Sequence, residues 1–388
     1  DSNEQQPSFA GSTGQDLLLL LHKGIGIPLS AEKHEPMSLL FVFLGVVTDF
    51  TKFAALRLVS MKPKPGRLPA VLASIAAVLS ARTISHGLAA TLRGKLQFLL
   101  YTVGHGSRIG RSVLSAFASV RRGGRVGRHS VPIPHALLAA ISFLTVVLTR
   151  LQPRVIDLPA MARAALRGSV IVWSDAMWED GSPNKPAVGG LGFVVWFPPG
   201  HPLAGPAGRF VFSARNVGLS ELTFLDREHS LIGQLELLAA AAVYVSFPRA
   251  AFYEQDVIHY IDNSSALYGM TKGYSSVPDS LAIIRAFHAA NLALRANVWF
   301  NYVATKANVA DLPSRGALDE MAACLHKVLP SFSLLDDSVE FVIPACPRDL
   351  DGLWAAVLGQ LPPSVRPEAP RARRSRRSGS HRRRAAPY

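Results

Sequence analysis

Four carboxylates in the second half of the sequence, Asp175, Glu236, Asp262 and Asp311, stand in contexts that suggest where their side chains point. Carboxylates drawn to one point repel one another unless cations lie between them, and hard oxygen ligands of this kind suit Mg²⁺. The chemistry available to such a set is metal-dependent phosphoryl transfer. A single acid at a strand end is more often a turn or cap residue than a ligand. Four in succession, each on an element able to present it, carry more weight.

The elements that must position them can be read from pattern. Asp175 ends the apolar run Val170-Ile171-Val172-Trp173-Ser174, the pattern of a buried strand. Glu236 lies in Ile232-Gly233-Gln234-Leu235-Glu236-Leu237-Leu238-Ala239-Ala240, which opens an Ala/Leu-rich helix. Asp262 ends a second strand, Val257-Ile258-His259-Tyr260-Ile261, and Asn263-Ser264 after it suit a helix N-cap. Asp311 falls in Asn308-Val309-Ala310-Asp311-Leu312-Pro313-Ser314-Arg315, at the opening of a late helix. Two further strands are expected at 189–197 and 209–215, a helix at 279–296, and a last strand at 297–303. In open α/β sheets functional groups gather beyond the carboxyl ends of parallel strands, so two strand ends and two helices could converge these acids.

The succession Ser-Asp-Ala, Glu-Leu-Leu-Ala, Asp-Asn-Ser-Ser-Ala-Leu and Asn-Val-Ala-Asp-Leu-Pro-Ser-Arg resembles the ribonuclease H domain of gypsy-like and DIRS-like retrotransposons, over about residues 167–318. The last string is the most specific. The resemblance implies an α/β ribonuclease H-like fold, a mixed five-stranded sheet flanked by helices. It implies that Asp175, Glu236, Asp262 and Asp311 hold two Mg²⁺ ions, for which Mn²⁺ can substitute, and that the RNA strand of RNA–DNA hybrids is hydrolysed. Asp175 would bridge the ions, Glu236 and Asp262 would serve the leaving-group side, and Asp311 the nucleophile side. The backbone at Gly189-Gly190 and the amides of Asn263 and Asn308 are candidates for reading the ribose 2′-hydroxyl. Arg315 is expected as a further nucleic-acid contact. One feature departs from the family. Many members carry a histidine in the loop before the final acid, and here that loop reads Ala304-Thr305-Lys306-Ala307-Asn308. The nearest histidines in sequence, His288 and His326, stand elsewhere. Another nuclease of the same superfamily, integrase- or resolvase-like, and a catalytically silent nucleic-acid-binding remnant are the competing readings.

Charge points to a polyanionic partner. The formal net charge is +14, and between Asp49 and Asp157 the 16 Lys and Arg meet no Asp or Glu. Nucleic-acid phosphate would offset such a run through counterion release; an Arg-rich coding bias is the alternative. Within it, 37–47 resembles the strand at the palm–thumb junction of retroelement reverse transcriptases. Apolar segments at 68–79, 88–101 and 109–120 read as three helices, with 84–87 as a turn, and resemble the thumb that grips template–primer duplex. Arg93, Lys95, Arg108 and Arg111 are the phosphate contacts chosen there.

This organisation gives residues 1–48 as the remnant of a palm, 49–128 as a mostly helical thumb-like region, and 129–166 as a linker. Residues 167–318 are the ribonuclease H-like domain, 319–360 a C-terminal extension with amphipathic helices and a strand near 339–343, and 361–388 a disordered Arg-rich tail. The paired aspartates of a polymerase turn are missing; Asp336-Asp337 is the one such pair and lies in the wrong context, so no polymerase activity is expected. The remainder of a reverse transcriptase polyprotein is an expected partner. The apolar run 137–148 is too short to span a bilayer, so no membrane partner is expected. Cys324 and Cys346 show no ligand spacing and suggest a reducing, intracellular compartment, cytoplasmic or nuclear.

Overall fold

The computed structural model describes residues 20, 38–43, 45–102, 107–120, 130–149, 153–159, 162, 166, 168–184, 186–225, 231–328, 335–336, 339–348 and 352–360. Most of the expected palm remnant, the 121–128 end of the thumb-like region and the 361–388 tail lie outside them, as does the side chain of Arg108.

Gly45, at φ +80°, turns the chain back on itself. The single strand expected over 37–47 is therefore a hairpin, β1 (Leu40–Phe43) and β2 (Val46–Asp49), with Phe43 opposite Val46. β2 pairs with β3 (Leu58–Pro63), and helix α1 (Arg67–Ala81) follows, its buried stripe Val71, Ile75 and Val78 at helical spacing. Next come β4 (Thr83–Ser85), α2 (His86–Thr102) and α3 (Ser107–Leu114). Gly110 on α3 sits against α2, where a Cβ would meet Leu100 Cδ1 at 2.8 Å. The third expected helix thus ends early, and Ser115–Ser119 continues it as a 3₁₀ turn.

Within 129–166, expected as a linker, the described residues form regular elements. β5 (Ser130–Pro132) pairs with β4, and α4 (His135–Thr149) buries Leu137, Ile141, Leu144 and Leu148. β6 (Arg154–Asp157) then pairs with β3 and completes an antiparallel sheet in the order β1-β2-β3-β6. Three- and four-residue strands carry too little periodicity to show in sequence, and Pro132 is tolerated because its strand is short and pairs on one side.

The second half has the fold class expected of it. β7 (Val170–Glu179), β8 (Val188–Phe197) and β9 (Arg209–Gly218) form an antiparallel meander, while β10 (Asp256–Ile261) and β11 (Asn297–Tyr302) add in parallel beside β7. Helix α5 (Ile232–Ser246) precedes β10, and α6 (Ser264–Lys272) and α7 (Pro278–Leu294) precede β11. The late helices are α8 (Asp311–Ser314) and α9 (Leu318–Val328). A two-residue strand, β12 (Leu335–Asp336), extends the five long strands to the order β11-β10-β7-β8-β9-β12. Every side chain from Gln234 to Val245 is buried, because small alanines let α5 fit between the sheet and α7. On the opposite face, Met321 of α9 packs with Val194, Phe212 and Ala310.

The two halves touch. The Arg285 guanidinium on α7 donates to the Ser112 carbonyl on α3 at 3.2 Å, and one continuous apolar core spans both. The strand expected near 339–343 is not formed. The segment is extended, but side chains rather than a neighbouring strand satisfy it. Ser213 Oγ donates to the Val339 carbonyl (2.9 Å), Arg215 to the Phe341 carbonyl (3.2 Å), and the Val342 amide donates to Ser246 Oγ (2.9 Å). Phe341 stacks on Phe193 at 5.0 Å, and α10 (Leu353–Gln360) packs on α7. Among the described residues no helix is long and apolar enough to cross a membrane.

Candidate active site

Asp175 lies within β7 opposite Gly192 of β8 and is 5% exposed. Its predecessor Ser174 faces the other way, into the α5 layer, where its hydroxyl meets His259 Nε2 at 2.9 Å and His259 Nδ1 meets the Tyr244 hydroxyl at 3.1 Å. Glu236 comes from the first turns of α5 and is equally buried. Asp262 directly follows the last residue of β10, and Asn263 caps α6 by accepting from the Ala266 amide at 3.0 Å. Three of the four acids expected to converge do so, from one strand interior where a strand end was expected, one helix and one strand end. Ligand oxygens of Asp175, Glu236 and Asp262 all lie within 4.8 Å of one another.

Electrostatics show what this proximity costs without a cation. Burial, and then the charges of Asp262 and Asp311, raise Asp175 from 3.8 to about 6 despite a hydrogen bond from Ser314. Burial, followed by Asp175 and Asp262, raises Glu236 from 4.5 to about 9, although the Ala176 amide donates to it. Glu236 Oε2 and Asp262 Oδ1 are buried with no hydrogen-bond partner. Buried carboxylate oxygens without donors are rare because their desolvation goes uncompensated. Converged hard oxygens of this kind fit a divalent cation such as Mg²⁺ or Mn²⁺.

Asp311 is set apart from this trio. It opens α8 as expected, near enough to raise Asp175, but its Oδ1 accepts from Arg315 Nε and pairs with Arg315 Nη2, both at 3.0 Å. The pair is open to water, with 34% of the Asp311 side chain and 59% of the Arg315 side chain exposed.

Two expected nucleic-acid contacts are corrected. Asn308 is 5% exposed, its Nδ2 donating to the Ser174 carbonyl at 3.1 Å and lying 3.4 Å from Asp175 Oδ1, so its amide serves the protein. The Gly190 position is filled: a Cβ there would overlap the Ser314 carbonyl, and at Gly192 the Ser314 amide, so these glycines admit α8 rather than a ribose. Asn263 spends its carbonyl oxygen on the α6 cap. Arg93, Lys95 and Arg111 are exposed on α2 and α3. In the loop before α8, Lys306 is exposed; His288 is buried within α7 and His326 is exposed on α9. Asp336 lies in β12 beyond β9, three strands from β7, outside the acid trio.

Sequence reasoning missed Ser314 as a site residue. Its hydroxyl donates to Asp175 Oδ2 at 2.5 Å. The signal was present, since the serine follows Asp311 by three residues and so falls on the same short helix.

No protein-family model matches the chain, and no curated protein does. Among solved structures it is similar to ribonuclease H1 of Halobacterium salinarum NRC-1, at 19% identity and TM-score 0.26, over 39% of this chain and 99% of that one. It is also similar to the N-terminal RNase H domain of a Mycobacterium tuberculosis protein fused to maltose-binding protein (17%, TM-score 0.23, 40% of this chain and 97% of that one). A third is LC9-RNase H1, described as a type 1 RNase H with the type 2 active-site motif (15%, TM-score 0.24, 38% and 72%). At such values these likenesses say nothing of activity, and the chemistry must be read from the side chains.

Proposed function

We propose that this chain is a metal-dependent endonuclease that hydrolyses the RNA strand of RNA–DNA hybrids, as part of a retrotransposon reverse transcriptase. The observation that carries the reading is the trio Asp175, Glu236 and Asp262, with two buried carboxylate oxygens that have no partner. The string around Asp311 supports the retroelement context.

In this reading Asp175, Glu236 and Asp262 hold Mg²⁺ or Mn²⁺. The bound cation supplies charge neutralisation at the phosphate and a more acidic water. Asp311 reaches the same centre by turning away from Arg315, an exposed i,i+4 pair that costs little to open. The released guanidinium, planar and always charged, then suits a backbone phosphate of the substrate. Arg93, Lys95 and Arg111 add sequence-independent phosphate contacts from the basic half. With Gly190 and Asn308 occupied by the protein, Asn263 remains the candidate for recognising the 2′-hydroxyl. No polymerase activity is proposed.

A substrate panel tests this. RNA–DNA hybrid, duplex DNA and a four-way junction are incubated with Mg²⁺ or Mn²⁺. Cutting confined to the RNA of the hybrid is expected. Cutting of the junction or of duplex DNA instead would assign the site to another nuclease of the superfamily, and salt-sensitive binding with no cutting would make the chain a binding protein.

A further inference from the structure

We infer that Ser314 and Asn308 are positioning residues for Asp175, and that the segment they bound is a clasp which orients this carboxylate for a cation and sets Asp311 beside it. The inference rests on the trio being a cation site.

Ser314 is 1% exposed, and its 2.5 Å contact with Asp175 Oδ2 is at the short end for a hydroxyl donating to a carboxylate. A hydroxyl has one proton to give. Its other acceptor, the Asp311 carbonyl at 2.9 Å, is farther away and uncharged, so Asp175 takes the proton. At the other end of the segment, Asn308 Nδ2 donates to the Ser174 carbonyl and lies near Asp175 Oδ1, while Asn308 Oδ1 accepts from the Ala310 amide at 3.2 Å. Each oxygen of Asp175 therefore has one neighbour from the clasp and keeps lone-pair capacity for a cation.

The clasp cannot lift far from the sheet. Its Pro313–Ser314 backbone lies on Gly190 and Gly192 of β8, where a side chain would collide with it. From the opposite side, the buried chain Tyr244–His259–Ser174 holds the residue before Asp175. The His259 ring, wholly buried, is kept neutral, its pKa lowered to about 3 by burial, so this chain carries no charge into the cluster. Asp175 is thus oriented from both faces of the sheet, whereas Glu236 and Asp262 each keep an oxygen without a donor. One ligand is fixed in advance and the others complete the site. Because Asp311 lies between the two anchors, the same bonds set its distance from Asp175.

The fold itself does not call for the Ser314 hydroxyl, since the contacts with the glycines are made by backbone. This separates the two roles experimentally. Mn²⁺ binding is measured by calorimetry on substrate-free wild type, Ser314→Cys and Ser314→Ala, with the melting temperature of each in chelator. Partners that orient a metal ligand typically contribute 10- to 100-fold in affinity. The expected order of affinity is wild type, then Cys (a weak donor of similar shape), then Ala about 10- to 100-fold weaker. The melting temperatures in chelator should stay close, and excess Mn²⁺ should restore part of the kcat of the alanine variant on hybrid with KM unchanged. If Ser314→Ala does not fold, the cysteine variant against wild type decides. Equal Mn²⁺ affinities in folded variants would overturn the clasp alone. Absence of Mn²⁺ binding by wild type would overturn the cation site on which it rests.

Discussion

The two halves of this molecule handle charge in opposite ways. In the first, between Asp49 and Asp157, the bases have no acids among them in sequence, and Arg93, Lys95 and Arg111 stand on solvent-facing sides of helices. In the second, Asp175 and Glu236 are 5% exposed and lie against Asp262. Exposed bases cost the fold almost nothing and are compatible with many roles. Buried like charges are costly and persist only where something else requires them. The second half therefore narrows the chemistry that can be proposed, whereas the first is compatible with many partners.

The largest effect should come from removing a member of the buried trio. Asp262→Asn is expected to abolish metal-dependent cleavage while circular dichroism and thermal unfolding show the fold intact. Unchanged turnover would remove Asp262 from the site.

The next effect concerns stability. Asp175 and Glu236 have folded-state pKa values above their unfolded ones, so without metal the folded protein holds protons that the unfolded chain has released. Stability should then fall with rising pH, through about 4 to 6 for Asp175 and about 4.5 to 9 for Glu236. A tenfold difference in proton affinity between the folded and unfolded states corresponds to about 1.4 kcal/mol. In chelator, the melting temperature is expected to drop between pH 5 and 9, roughly the window spanned by the two groups. Glu236→Gln should flatten that slope and raise the melting temperature at pH 8 while eliminating activity. Mn²⁺ added to wild type at pH 8 should recover the loss. A pH-independent melting temperature in chelator would mean that these carboxyls are not buried together.

A smaller effect is expected in the basic half. Replacing Arg93, Lys95 and Arg111 by Ala should weaken hybrid binding and reduce the slope of log affinity against log salt by about 0.9 for each phosphate no longer neutralised. The kcat at saturating substrate should not change. An unaltered slope would show these bases to be solvated faces, and the contrast between the halves would then rest on the acids alone. The smallest effect is expected at Arg315. Arg315→Gln breaks an exposed pair and should move stability by only about 0.3–0.5 kcal/mol in thermal unfolding.

What was legible in the sequence follows the same division. Long strands and helices with strong apolar patterns, such as those carrying Asp175, Glu236 and Asp262, declare themselves, and so does the acid that follows β10; that β7 runs on to Glu179, past Asp175, does not show in the apolar run before it. The hairpin at Gly45 and the short strands at 130–132 and 154–157 do not, because pairing rather than periodicity creates them. The extended segment at 339–343 carries a strand's composition but finds side-chain partners instead of a strand. Within the site, the acids were visible as charges. The inward turn of Asn308 and the contact of the Ser314 hydroxyl with Asp175 depend on tertiary approach, whereas the Asp311–Arg315 pair is local and its i,i+4 spacing was there to be read.

The most direct test is cleavage of an end-labelled RNA–DNA hybrid by the wild-type chain with Mg²⁺ or Mn²⁺, beside single-stranded RNA and an Asp175→Asn control. Cutting of the hybrid RNA alone, lost on chelation and in the control, is the predicted result. Cutting that survives Asp175→Asn, or no cutting by wild type with salt-sensitive binding retained, would contradict the assignment of these carboxylates to catalysis.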